Sequence, residues 1–300
     1  MAGGQPPWGE PPLEGQAAVD QLLDLLDLAA TGANAFRGQN PRVGPQRVYG
    51  GQVAAQALVA AGRTVDPERR VHSLHGYFVR PGDPVDPIDY HVEKIRDGRS
   101  FSVRRCVASQ HGKTIFFMSA SFHGEEAGLD HHTPGPVGLP DPESLPTLAE
   151  LVARDPRRAG IWAVVPRPID VRHLGEPGWV NPGQRPAQPY HRAWMRVDGV
   201  LPDDPLLHAC LLTYASDLTL LDAVLAAHGE VWGAGGVVGA SLDHALWFHR
   251  PFRADEWFLY DCWSPSASGA RGLATGRMLT RDGRHIASAV QEGLLRRVGA

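Results

Sequence analysis

Phe78-Val79-Arg80-Pro81 and Phe248-His249-Arg250-Pro251 repeat one pattern, Phe-x-Arg-Pro, at an offset of 170 in a chain of 300 residues. Working outward, Gly98 corresponds to Gly269, Gly112 to Gly283 and Ile115 to Ile286, each at an offset of 171. Ahead of the first copy, residues 50–65 read GGQVAAQALVAAGRTV, small side chains with almost no charge. That composition predicts a helix buried on most sides. β-rich segments follow at 71–79, 88–95, 100–109 and 113–123, parted by Pro-Gly, Asp-Gly and His-Gly turns, as in antiparallel strands. The second half keeps the order: one or two helices over 203–227, then β-rich segments near 241–250, 257–263, 269–279 and 285–296. The same succession at a near-constant offset reads as an internal duplication.

A sheet curled around a helix buries its apolar face there, and pairing two such units joins edges that would otherwise be exposed. The expected class is therefore α+β, two tandem units, each a central helix wrapped by an antiparallel sheet, with the sheets joined edge to edge. The expected organisation is a disordered Pro- and Gly-rich stretch over 1–17, an N-terminal unit over 18–123, a Pro/Gly-rich linker over 124–188, and a C-terminal unit over 189–300. An amphipathic entry helix is expected over 19–30.

A net charge of −4 gives no electrostatic reason to expect nucleic acid as a partner. Cys106, Cys210 and Cys262 are an odd, widely spaced set, which argues against a disulfide framework and a zinc site. His131 and His132 sit in the Pro-rich linker without spaced acids or cysteines and read as solvated surface. The opening MAGGQPPWGEPPLEG lacks the basic start and apolar core of a signal peptide. No apolar run reaches the ~20 residues of a membrane span, so a cytoplasmic protein is expected.

Two polar residues are out of place. Asp217 lies within LLHACLLTYASDLTLLDAVL (206–225), apolar nearly all round, where a carboxylate is costly unless bonded. It either caps a helix beginning at Leu218, together with Ser216, or serves chemistry. Alternation places Ala287, Ala289, Gln291 and Gly293 on one face of the last strand, where the first-half counterparts are Phe116, Met118, Ala120 and Phe122. Either that face looks to solvent, or small residues surround one amide in a cavity of the second half. Ser241 opens the strand SLDHALWFHRPF. A hydroxyl, an amide and an accept-only carboxylate can together hold a water. Asp217 would then act as general base and backbone N–H groups at a helix end would stabilise an oxyanion. No Gly-x-Ser-x-Gly elbow, Walker loop or His-Glu-x-x-His occurs, which favours water attack over a covalent serine route.

Phe36-Arg37-Gly38, Arg47-Val48-Tyr49-Gly50-Gly51-Gln52-Val53, Phe78-Val79-Arg80-Pro81-Gly82, Tyr214-Ala215-Ser216-Asp217, LDHALWFHRPF (242–252) and Val290-Gln291-Glu292-Gly293 resemble the acyl-CoA thioesterase II family, the double-hotdog thioesterases. The resemblance spans roughly 18–123 and 190–296. It puts the family's catalytic aspartate on Asp217, its glutamine on Gln291, and its hydroxyl residue, usually threonine, on Ser241. Serine keeps the hydroxyl but is freer in χ1, which implies looser positioning of water. The resemblance further implies hydrolysis of fatty acyl-CoA to acid and CoA, no metal or organic cofactor, a place in lipid metabolism, and self-association of the subunits.

Arg80 and Arg250, repeated at one point of both halves, read as fold-level residues rather than ligands of CoA phosphate. Asp243 and His244, neighbours on a strand, point to opposite faces and form no dyad. Two other functions remain open. A hotdog enoyl-CoA hydratase needs a paired Asp and His, for which His208 is poorly placed. A non-catalytic acyl-CoA sensor rests only on Ser241.

Overall fold

The computed structural model describes residues 12–41, 47–180, 187–233 and 235–299. It opens with α1 (Gly15–Leu26), β1 (Ala29–Gly32), β2 (Ala35–Gly38) and α2 (Gly50–Gly62). The strands β3 (Arg70–Phe78), β4 (Ile88–Asp97), β5 (Phe101–Gln110) and β6 (Lys113–His123) complete the first half. Two short 3-10 turns, α3 (Leu148–Arg154), α4 (Pro156–Ala159) and β7 (Ile169–His173) lie within 124–188. The second half has β8 (Tyr190–Val197), α5 (Pro205–Ser216), α6 (Asp222–His228), β9 (Val237–Ser241), β10 (Asp243–Phe248), β11 (Phe258–Ser268), β12 (Arg271–Thr280) and β13 (His285–Arg297).

The strands form one antiparallel sheet in the order β1-β2-β4-β5-β6-β3-β10-β13-β12-β11-β8-β7, with β9 on β13. Strip away β1, β7 and β9, and the halves coincide: strand, helix, then four strands, stacked β3-β6-β5-β4-β2 in one and β10-β13-β12-β11-β8 in the other. The seam is β3 against β10, with Leu74 opposite Leu246 and Gly76 opposite His244. This is a double hotdog.

The repeated Phe-x-Arg-Pro ends a strand the same way twice. Val79 N donates to Ile115 O at 2.8 Å, and His249 N to Ile286 O at 2.8 Å. Arg80 Nη1 donates to Thr114 O at 2.7 Å and Arg250 Nη1 to His285 O at 2.8 Å. Both guanidiniums therefore clamp the neighbouring strand, and Arg250 also pairs with Asp130. Gly112 and Gly283 turn the matching hairpins at φ +70° and +87°, a region L side chains avoid.

Helix α2 is buried from Gly51 to Ala61, which its run of alanines makes possible. Its small cross-section lets α5 pack closely: a Cβ on Gly62 would sit 2.5 Å from Leu206 Cδ2. Asp204 caps α5 by accepting from Leu206 N and Leu207 N, and Pro205 supplies a preset φ at its first position. The three cysteines are free and buried, and burial pushes each thiol up, so they act as small hydrophobes. Among the described residues, no helix is long and apolar enough to cross a membrane.

Several sequence expectations need amending. Disorder over 1–17 lies outside the described residues up to position 11, but residues 15–17 already belong to α1, which ends at Leu26. The stretch 124–188 contributes a strand, β7, paired with β8. Ser241 ends the short β9, and Leu242 separates it from β10, so the strand does not run on as SLDHALWFHRPF.

Candidate active site

Asp217 is the C-cap of α5, not the N-cap of a helix starting at Leu218; the next helix begins only at Asp222. Four hydrogen bonds fix the turn that carries it. Tyr49 Oη donates to Tyr214 O at 2.8 Å, and Tyr260 Oη to Ser216 O at 2.9 Å. The Ser216 hydroxyl donates to Thr213 O and lies 2.7 Å from His244 Nε2, from which it accepts. Burial holds the His244 imidazole down against opposing pulls from Asp217 and Asp243, keeping it neutral behind the turn. Burial, with Asp217 adding to it, drives the Tyr49 phenol well above its ordinary value, so it acts as a neutral donor.

The structure brings the three predicted residues together. Gln291, fully buried on the inner face of β13, donates from Nε2 to Asp217 Oδ1 at 2.6 Å. Ser241 Oγ donates to the same oxygen at 3.3 Å. Asp217 and Ser241 are each partly exposed. A carboxylate only accepts, so the Gln291 amide turns its N–H to Asp217 and leaves Oε1 buried without a protein partner.

The second carboxylate oxygen looks toward the first half. A Cβ on Gly50 would lie 2.7 Å from Asp217 Oδ2, which places that oxygen against the first turn of α2. No side chain caps α2, and its first intrahelical bond is Val53 N to Tyr49 O. The N–H groups of Gly50, Gly51 and Gln52 therefore precede the ladder and form the positive end of the helix. One half thus supplies the acid and its partners, the other the helix start.

Neither rival acid–base pair forms. Asp243 accepts from Glu292 N at 2.7 Å, away from His244. His208 accepts from Ala254 N at the opposite end of α5, nine residues and roughly 13 Å of helix from Asp217. His131 and His132 are exposed. Asp83, Asp86 and His111 bring three donor atoms within 4.8 Å of one another, but all three are exposed and pair as a surface cluster.

The small-residue face of β13 is filled at Gly293. A Cβ on Gly293 would meet Leu221 Cδ1 at 2.5 Å, so the small residue admits the chain between α5 and α6. A cavity of about 220 Å³ lies elsewhere, beside Tyr49, Tyr214 and Leu218. The three residues singled out in the sequence, Asp217, Ser241 and Gln291, meet here; Gly50, Tyr49, His244 and Tyr260, to which sequence reasoning assigned no part in the site, surround them. A Gly-Gly pair opening a buried helix was the available signal for Gly50.

Comparisons with known proteins cover both halves of the chain. A family model described as acyl-CoA thioesterase matches residues 172–294, and one described as acyl-CoA thioesterase N-terminal domain matches 37–123. Acyl-coenzyme A thioesterase 8 of Mus musculus is 39% identical over 95% of this chain and 91% of its own. Acyl-CoA thioesterase 2 of Haemophilus influenzae is 38% identical over 93% of this chain and 98% of its own. The crystal structure of the acyl-CoA thioesterase II TesB2 from Mycobacterium marinum is 41% identical, covers 93% of this chain and 99% of its own, and superimposes with a TM-score of 0.75. A hot dog protein from Alicyclobacillus acidocaldarius shares the fold at 20% identity, with a TM-score of 0.72 over 92% of this chain and 98% of its own.

Proposed function

This chain belongs to the acyl-CoA thioesterase family, and on that premise we propose that it hydrolyses acyl-CoA by direct attack of a water that Asp217 activates and that Ser241 and Gln291 position. One observation carries the reading: Asp217 Oδ1 is occupied by two donors while Oδ2 faces the start of α2. Oδ2 is then the oxygen that takes a proton. A water giving one hydrogen to Oδ2, on a carboxylate that Gln291 and Ser241 hold in place, turns its lone pairs toward a thioester carbonyl set against α2. The N–H groups at Gly50 and Gly51 receive the oxyanion as it forms, a contribution commonly worth 10²–10³-fold per donor. Collapse breaks the C–S bond and expels the CoA thiolate, which takes the proton back from Asp217, and leaves the acid. No metal or organic cofactor is required by these steps.

The test is release of free thiol from a panel of acyl-CoAs by the purified protein. Turnover supports hydrolysis; binding of acyl-CoA without thiol release turns the reading toward a sensor.

Gly50→Ala probes the meeting of the two halves. The added Cβ would fall 2.7 Å from Asp217 Oδ2 and 3.0 Å from Phe78 Cζ, so carboxylate or ring must shift. Alanine itself suits a helix better than glycine by ~1 kcal/mol. The expected outcome is a loss of about 10–10²-fold in kcat/KM with little change in melting temperature. Full activity in a folded variant would remove Oδ2 from the mechanism.

A further inference from the structure

Three buried polar side chains, Ser216, His244 and Gln291, close a ring behind Asp217. Gln291 donates to the carboxylate, and Ser216, the neighbour of Asp217 in the chain, accepts from His244 Nε2 at 2.7 Å. His244 completes the ring on its other side. The register that pairs Leu246 with Ala289 and Ala245 with Val290, carried one residue on, sets His244 opposite Gln291. Residues opposite one another in an antiparallel pair share a face, with Cβ atoms ~4.5–5.5 Å apart.

The other sheet neighbours of Gln291 on that face are small. Ala289 and Gly293 flank it along β13, and Ala274 stands opposite it on β12. Gln291 Oε1 accepts no hydrogen bond from the described residues, and His244 Nδ1 has no partner among them either. The amide is therefore oriented by its bond to Asp217 and by the imidazole packed beside it. The duplication supplies a control. At offsets of 170 and 171, His244 and Gln291 correspond to Leu74 and Ala120, which are paired across β3 and β6 and buried. The fold thus accepts an apolar pair at this point, and the polar pair stands in the half that carries Asp217. A buried nitrogen without a partner costs stability that the leucine of the first half does not.

We infer that His244 is a positioning residue for hydrolysis: it holds the Asp217 turn from behind through Ser216 and confines the Gln291 amide from the side. The inference rests on the thioesterase reading of the site. His244 is buried behind the turn and acts through these two neighbours, not on substrate. Its contribution is to keep the carboxylate in the arrangement where Gln291 occupies Oδ1 and Oδ2 faces the start of α2. A base displaced by a fraction of an ångström loses rate without losing affinity for substrate, so the effect belongs in kcat.

His244→Leu installs the residue that the first half already uses, and thiol release from acyl-CoA by the full chain measures the result. The expected outcome is a fall of about tenfold in kcat, with KM within about twofold and the melting temperature within a few degrees of wild type. His244→Gln, whose Nε2 can donate to Ser216 in place of the imidazole, should recover most of the rate. Combined with Asp217→Asn, His244→Leu should cost less than about twofold further, because a residue acting through the base has nothing left to position. A merely structural histidine would cost the same factor in both backgrounds, or would lower the melting temperature with kcat intact. Either result overturns the inference and leaves the thioesterase reading in place. Should His244→Leu fail to fold, Ser216→Ala cuts the same link and is held to the same comparison. No thiol release by wild type overturns both.

Discussion

Asp217→Asn is expected to lower kcat for acyl-CoA hydrolysis by about 10²–10⁴-fold, with KM little changed. The substitution keeps size and planarity, so the turn held by Tyr49, Tyr260 and His244 stays in place. One amide oxygen can still accept from Gln291 and Ser241. What is lost is the oxygen able to take a proton, since the amide nitrogen in its place only donates. Oxyanion stabilisation by α2 survives, so the variant should remain faster than uncatalysed hydrolysis. Thiol release under saturating substrate measures it; a variant within threefold of wild type removes Asp217 from its role.

Gln291→Leu is expected to cost about 10–10²-fold in kcat while leaving the melting temperature within a few degrees of wild type. A hydrogen bond to a charged group is worth ~1.5–3 kcal/mol, which sets the scale of the kinetic loss if it holds the base in its working position. Stability responds differently. The wild-type amide is fully buried with Oε1 unpartnered by protein, so exchanging it for an apolar side chain of similar volume removes a desolvated acceptor. Asp217 loses one partner but is partly exposed and keeps Ser241. A merely structural glutamine would show the reverse, melting lower with turnover intact. Kinetics and thermal melting on one preparation separate the cases.

The parts of this fold legible in the sequence are those whose pattern is local. Strands β4, β5, β6 and β11–β13 carry alternation between glycine turns, and the alanine-rich run fixes α2 within three residues. Strands β1, β2, β7 and β9 have only four or five residues each, too short for a period to declare itself. Strand β8 follows a Pro-rich tract that masks its start. In the site, Asp217 and Gln291 stood out because a carboxylate in an apolar helix and an amide among alanines both violate patterning. Gly50 violates nothing, since its partner Asp217 is remote in sequence and only the pairing of two units brings them together. His244 reads as an inward strand residue until Ser216 is seen to receive it. Of the two faces left open for Gln291, burial selects the inward one, where Gly293 makes room for Leu221, a contact no periodicity reports.

The central claim is that water attacks directly and Asp217 acts as a base rather than as a nucleophile. A single-turnover reaction in water enriched in oxygen-18, with enzyme in excess over acyl-CoA, tests it most directly. Direct attack predicts that the fatty acid released in the first turnover carries one solvent oxygen and that the peptide containing Asp217 carries none. An unlabelled acid together with label in that peptide would show an acyl–Asp217 anhydride and contradict the mechanism.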